Sequence, residues 1–145
     1  MKAVADSSVL ISAFLVGASL PGRVLRAGVE GRFGLVVSTA IMGEIERSLA
    51  KKSGLRKYGY GEADIRGFIR DLAIVAELVD CLPEIPPTCR DPDDDHVLAA
   101  AVAVGADYIV TGDRDLLDIV RFESTEILSP RRFLEILGRE PAGVG

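Results

Sequence analysis

Cysteine and histidine are scarce in this 145-residue chain, which has two cysteines, Cys81 and Cys89, and one histidine, His96. Two cysteines are too few for a disulfide framework. They lack the C-x-x-C spacing, and His96 stands apart from both, so no Cys/His zinc site is expected. A reduced, cytoplasmic setting is the expectation. An excess of basic residues is also missing: 17 Lys and Arg stand against 22 Asp and Glu, a net charge of −5. That argues against a non-specific nucleic-acid coat protein, which would be strongly basic. It does not argue against a nuclease whose acidic residues hold metal. Long hydrophobic runs are absent too. The apolar stretch from Val9 to Leu20 superficially resembles a leader, but Asp6, Ser7 and Ser8 interrupt its approach and Ser12 breaks it. No run reaches the roughly 18 apolar residues of a membrane span. What remains is 48% hydrophobic and 27% charged, the composition of a soluble globular domain of ordinary size. A chain of this length buries enough surface to need no staples.

Short apolar segments alternate with helical patterns along the chain. Lys2–Ala5 reads as a buried strand ending at Asp6, followed by a helix over Ser8–Leu15 and another from Pro21 to Glu30, with Gly31 as its stop. Phe33–Val37 is the next strand, and Ser38 caps a helix through Ile41, Ile45 and Leu49. Ser53–Gly61 is a loop, Glu62–Ile74 a helix and Ala76–Asp80 a third strand. A proline-rich connection leads to Asp93 or Asp94, either of which can cap a helix that Gly105 ends. Tyr108–Val110 and Glu126–Leu128 are the fourth and fifth strands, with a helical turn near Leu116 between them. Ser129-Pro130 opens a last helix to Leu137. This alternation predicts an α/β domain with a mostly parallel sheet of about five strands, spanning 1–137, and a flexible tail over 138–145. Ligands of such sheets bind beyond the carboxyl ends of the strands.

Carboxylates stand at those ends. Asp6 ends the first strand, Glu44 lies in the helix after the second, Asp94 opens the helix after the third and Asp113 follows the fourth. Each has an ordinary explanation: a turn or cap for Asp6 and Asp113, an exposed helix position for Glu44, a solvated acidic loop for Asp91, Asp93, Asp94 and Asp95. Their joint placement after successive strands is harder to explain by capping. Carboxylates brought together raise one another's pKa, a conflict that a divalent cation removes. Ligands that are all oxygen favour Mg²⁺ or Mn²⁺.

Four segments resemble the PIN-domain family, and in particular its small stand-alone, VapC-like members that are toxin components of toxin–antitoxin systems. They are Val4-Ala5-Asp6-Ser7-Ser8-Val9, Ser38-Thr39-Ala40-Ile41-Met42-Gly43-Glu44, Arg90-Asp91-Pro92-Asp93-Asp94-Asp95-His96 and Ile109-Val110-Thr111-Gly112-Asp113-Arg114. The resemblance runs from Lys2 to about Leu137. It implies a three-layer α/β/α domain and a metal-dependent ribonuclease that uses Mg²⁺ or Mn²⁺. It implies that Asp6, Glu44, Asp94 and Asp113 are the metal-binding and catalytic residues, with Asp95 as the alternative to Asp94 and Thr111 in support. The family commonly has Asn where this chain has Ser8, which keeps a hydroxyl of shorter reach. An RNA substrate, an antitoxin partner and a homodimer are implied as well, the apolar Phe14, Leu15, Val16 and Leu20 being candidates for its interface. Lys51, Lys52, Arg56 and Lys57, together with Arg90 and Arg114, are candidate phosphate contacts. His96 is expected to be a partly exposed structural residue with no part in the chemistry. Two other readings compete: a PIN-like RNA-binding or interaction module without catalysis, and a receiver-type phosphoacceptor domain. No lysine follows Lys57 to hold a phosphoryl group, which counts against the second.

Overall fold

Strand Lys2–Ala5 (β1) is apolar throughout its buried stretch, and strand Gly34–Ser38 (β2) is so up to its last residue, as strands are when helices cover both faces of a sheet. The structure is a computed structural model that describes residues 1–51 and 59–139. After β1 come α1 (Ser7–Leu15) and α2 (Leu20–Val29); after β2 come α3 (Thr39–Lys51) and α4 (Glu62–Val75). Strand β3 (Glu77–Val79) leads through a proline-rich connection and a 3-10 turn (Pro92–Asp94) into α5 (Asp95–Val104) and β4 (Tyr108–Val110). The chain continues through α6 (Arg114–Leu117), β5 (Arg121–Phe122), β6 (Thr125–Leu128) and α7 (Pro130–Arg139).

The sheet runs β3-β2-β1-β4-β6-β5, with every pair parallel except β5 and β6. Helix α5 packs on β1, β2, β3 and β4, while α1, α2, α3, α4 and α7 pack on one another. Right-handed crossovers put these two sets on opposite faces, which makes the three expected layers. The core is aliphatic, with Val4, Leu10, Ile41, Ile45, Leu98 and Ile109 fully buried. Phe133 of α7 is buried too and meets Phe33 edge-on at 4.8 Å. No single helix among the described residues is long and apolar enough to cross a membrane.

The start and stop signals act as read. Ser38 accepts the Ile41 N–H at 3.1 Å, Ser129 accepts the Arg132 N–H at 3.2 Å, and Gly105 ends α5 at φ +61°, where a side chain would be strained. Three details differ from expectation. The sheet has six strands because Arg121–Phe122 adds a two-residue antiparallel edge. Helix α7 continues through Gly138 and Arg139, which the sequence assigns to the tail; residues 140–145 lie outside the described part. Phe14 is a packing residue, its ring 4.5 Å from Tyr60 and 4.8 Å from Phe68, and Leu15 also packs on the core, so of this group only Val16 is well exposed.

Candidate active site

Strand order reverses between β1, which connects outward to β2, and β4, which connects the other way to β6. This is the switch point at which an open α/β sheet leaves a crevice. Asp6 leaves β1 there, its N–H donating to the Val110 carbonyl at 3.0 Å, and Thr111-Gly112-Asp113 leave β4 beside it. Asp6 is only 6% exposed, so its carboxylate needs donors, and two hydroxyls provide them. Thr111, fully buried, donates through Oγ1 to Asp6 Oδ2 at 2.8 Å and accepts the Asp113 N–H at 3.0 Å. Ser8 donates to the same Oδ2 at 3.1 Å and accepts the Gly112 N–H at 3.2 Å. The shorter Ser8 therefore ties the β1 and β4 loops together through Asp6.

Three of the four sequence-derived carboxylates are helix N-caps: Asp6 for α1, Asp94 for α5 and Asp113 for α6. In a parallel sheet the helix N-termini gather at the strands' carboxyl ends, so capping and clustering are the same placement seen twice. Asp6 accepts the Ser7 N–H at 2.7 Å and Asp113 the Asp115 N–H at 2.9 Å. Asp94 makes no side-chain cap bond. Burial, followed by the charges of Asp113, Asp91, Asp6 and Glu44, pushes its carboxyl up to about 6. Asp94 is thus close enough to feel all three other members. Glu44 arrives from within α3 and is raised above the usual carboxylate range, first by burial. Asp6 repulsion adds to that, while His96, Arg47 and the Ser7 hydroxyl pull the other way. Its Oε1 is buried without a hydrogen bond.

The neighbouring acids have other work. Asp95 accepts the Cys89 N–H at 2.7 Å and the Thr88 N–H at 3.3 Å, and these bonds hold its carboxyl below the usual range. It pins the proline-rich connection and leaves Asp94 to face the other carboxylates. Asp91 caps the 3-10 turn through the Asp93 N–H. Burial and Asp95 push the Cys89 thiol up to about 12, so it stays protonated and inert. Arg90 reaches Asp115 of α6 at 3.6 Å, and Arg114 is exposed at the start of that helix. Lys51 ends α3 in a polar cleft that begins at Glu44. Lys52, Arg56 and Lys57 lie outside the described residues.

Sequence reasoning passed over two residues. His96 was expected to be structural, yet its Nε2 lies 3.1 Å from Glu44 Oε1, short of hydrogen-bond alignment, and its Nδ1 is buried without a partner. The signal was its place two residues after Asp94, in the first turn of the helix that starts at the same edge of the sheet. Arg47 was masked by its ordinary surface position, although it stands three residues after Glu44 on the same helical face.

The donors suit a hard divalent cation: every carboxylate offers only oxygen, every charge acting on Asp94 is a like charge, and Glu44 Oε1 is buried without a hydrogen bond. Among the described residues no three His, Cys, Asp or Glu side chains stand ready to hold one ion together. Mg²⁺ commonly takes one or two carboxylates and keeps its waters, so the arrangement remains a fit for it.

Comparison with known proteins bears on this arrangement. A family model described as the PIN domain matches residues 2–115, a span that includes all four carboxylates. An uncharacterized protein of Methanocaldococcus jannaschii, MJ1680, is 32% identical over 124 residues, which cover 82% of this chain and 75% of the relative. Among solved structures, a chain of VapBC2 from Rickettsia felis, determined bound to a DNA fragment from their promoter, superposes with a TM-score of 0.61. Its identity is 11%, over 89% of this chain and 98% of that one. PAE2754 from Pyrobaculum aerophilum superposes with a TM-score of 0.57 at 17% identity, over 97% of this chain and 91% of the other. Both share its fold. With a family model covering most of its length and a fold that brings the motif carboxylates to one sheet edge, the chain belongs to the PIN-domain family.

Proposed function

We propose that this chain is a metal-dependent endoribonuclease that hydrolyses RNA phosphodiester bonds, and that it is the toxin of a toxin–antitoxin pair. The observation that carries the reading is Asp94: a cap residue without a side-chain cap bond, whose carboxyl is raised first by burial and then by the charges of Asp113, Asp91, Asp6 and Glu44. A carboxylate left without a partner in such a field is suited to a cation. Asp6 and Asp94 would hold Mg²⁺ or Mn²⁺ directly, and Glu44 and Asp113 directly or through water. Thr111 and Ser8 fix Asp6 in its orientation from behind. When bound by these residues, the ion would supply Lewis acidity toward the scissile phosphate and an attacking water. Glu44, whose carboxyl burial raises above the usual carboxylate range, would orient that water and take its proton.

The toxin role is supported by likeness in fold to VapBC2. It carries with it an antitoxin partner and a homodimer. Two free cysteines suit a cytoplasmic setting. A receiver-type phosphoacceptor has no place beside PIN-domain membership.

The test is a calorimetric Mn²⁺ titration of wild type and of an Asp6→Asn/Asp94→Asn variant, each then assayed on a mixed RNA pool. Saturable binding and cleavage are expected in wild type, with both lost in the variant. Binding without cleavage of any RNA would favour a non-catalytic interaction module. No binding in wild type would overturn the metal site.

A further inference from the structure

Glu44 belongs to a second feature besides the carboxylate group. It stands at one end of an open cleft of about 300 Å³ lined by Ser7, Ile11, Glu44, Arg47, Ser48 and Lys51. Positions 44, 47, 48 and 51 recur at helical spacing, so these side chains form one stripe along α3. At about 1.5 Å of rise per residue, the stripe carries Arg47 roughly 4–5 Å and Lys51 roughly 10 Å from Glu44. The opposite wall comes from the first turns of α1, which Asp6 caps. Gly43 shapes the stripe: a Cβ there would stand 3.1 Å from Arg47 Nη1, so its absence lets the guanidinium lie back along the helix. Among the described residues Arg47 has no ion-pair partner, and its charge acts on Glu44.

We propose that Arg47 and Lys51, with the hydroxyls of Ser7 and Ser48, form a phosphate subsite that holds the phosphate next to the scissile one on a single-stranded nucleic acid. The inference rests on the nuclease reading and adds to it a register for the strand. Two cations and two hydroxyls supply the donors that a phosphodiester accepts, and Arg is suited to bidentate contact with it. Ile11 gives the sugar an apolar surface to lie against. Glu44 belongs to both the carboxylate group and the cleft lining, so a strand whose scissile phosphate lies at the carboxylates would continue into the cleft. This explains how a chain of net charge −5 holds a polyanion: the cations are concentrated along one stripe that leads away from the acids.

The experiment measures binding of a fluorescent eight-nucleotide single-stranded RNA by anisotropy in Ca²⁺ over a series of salt concentrations. Wild type is compared with an Arg47→Gln/Lys51→Gln variant. Both side chains are exposed, so folding should survive, and circular dichroism checks it. Affinity is expected to fall about tenfold or more, and the slope of log K against log salt to shrink by about 0.7, the value for one lost phosphate contact on a single strand. Saturable Mn²⁺ binding should persist, and an Arg47→Lys/Lys51→Arg variant should restore the slope. Wild-type RNA cleavage together with an unchanged slope in the Gln variant would overturn the subsite and leave the nuclease reading standing. Failure of wild type to bind or cleave RNA would overturn both. Displacement of the RNA by poly-glutamate as readily as by an oligodeoxynucleotide would assign the cleft to an acidic protein partner and overturn the phosphate.

Discussion

The Thr111 hydroxyl lies between two of the four carboxylates, donating to Asp6 and accepting the Asp113 N–H. A Thr111→Val substitution keeps the shape and removes both bonds. Asp6 Oδ2 would then have Ser8 alone, in a site with almost no solvent. Leaving buried polar groups short of partners costs about 1–3 kcal/mol, so the urea midpoint should fall accordingly, and Mn²⁺ affinity should fall with it. Thr111→Ser retains the hydroxyl and should keep most of both. A Thr111→Val protein as stable as wild type would show that the bridge contributes nothing. Much of the site was legible at this scale because its members stand where strands end. Asp94 was separable from Asp95 only once the structure placed Asp95 on the Cys89 and Thr88 N–H groups. His96 and Arg47 were not legible, because their relevance lies in contacts across or along helices and not in their own residue type.

Helix boundaries were readable to within a residue or two, because caps and stops are local chemistry: Ser38, Ser129 and Gly105 each do what their types favour. The edge strand β5 was not readable. It is two residues long, flanked by Val120 at φ +68° and Glu123 at φ +53°, conformations that no hydrophobic pattern announces. Strand order was equally hidden, since it depends on contacts between distant segments. Glycines test how elements are joined. Gly22, in the first turn of α2, faces the link from α1, where a Cβ would overlap the Gly17 carbonyl oxygen. Gly67, within α4, has only the end of the Arg70 side chain near, at 4.0 Å. Alanine raises helix propensity at both positions by about 1 kcal/mol. Gly67→Ala should therefore stabilise the protein by about 0.5–1 kcal/mol in urea unfolding. Gly22→Ala should destabilise it by about 1–3 kcal/mol, because the backbone of the link must move. Equal effects of the two substitutions would mean that the α1–α2 link is not tightly packed.

For the molecule as a whole, gathering carboxylates at one sheet edge sets stability against charge. Asp94 rises from 3.8 to about 6 on folding, so between those values the folded chain holds a proton that the unfolded chain has released. Stability from this group therefore falls as pH rises through that window and stays lowered above about 6. Glu44, also raised, acts in the same direction. Asp94 is partly exposed, and solvent screening limits its share to less than about 1 kcal/mol. Asp94→Asn should consequently raise the melting temperature of the metal-free protein at pH 7.5, by up to roughly 2–4 °C, and have little effect at pH 4. Mn²⁺ should reverse the order. At about one hundred times its Kd, an ion bound only by the folded state adds about 2.7 kcal/mol, so wild type should melt several degrees higher at pH 7.5. At pH 5 the gain should shrink, because protonated Asp94 competes with the ion. Asp94→Asn should gain little at either pH. Scanning calorimetry of the two proteins, at both pH values and with and without Mn²⁺, reads every term. A metal-free wild type that melts above Asp94→Asn at pH 7.5 would mean that the carboxylates are not in conflict, and that the edge of the sheet has no charge waiting for a cation.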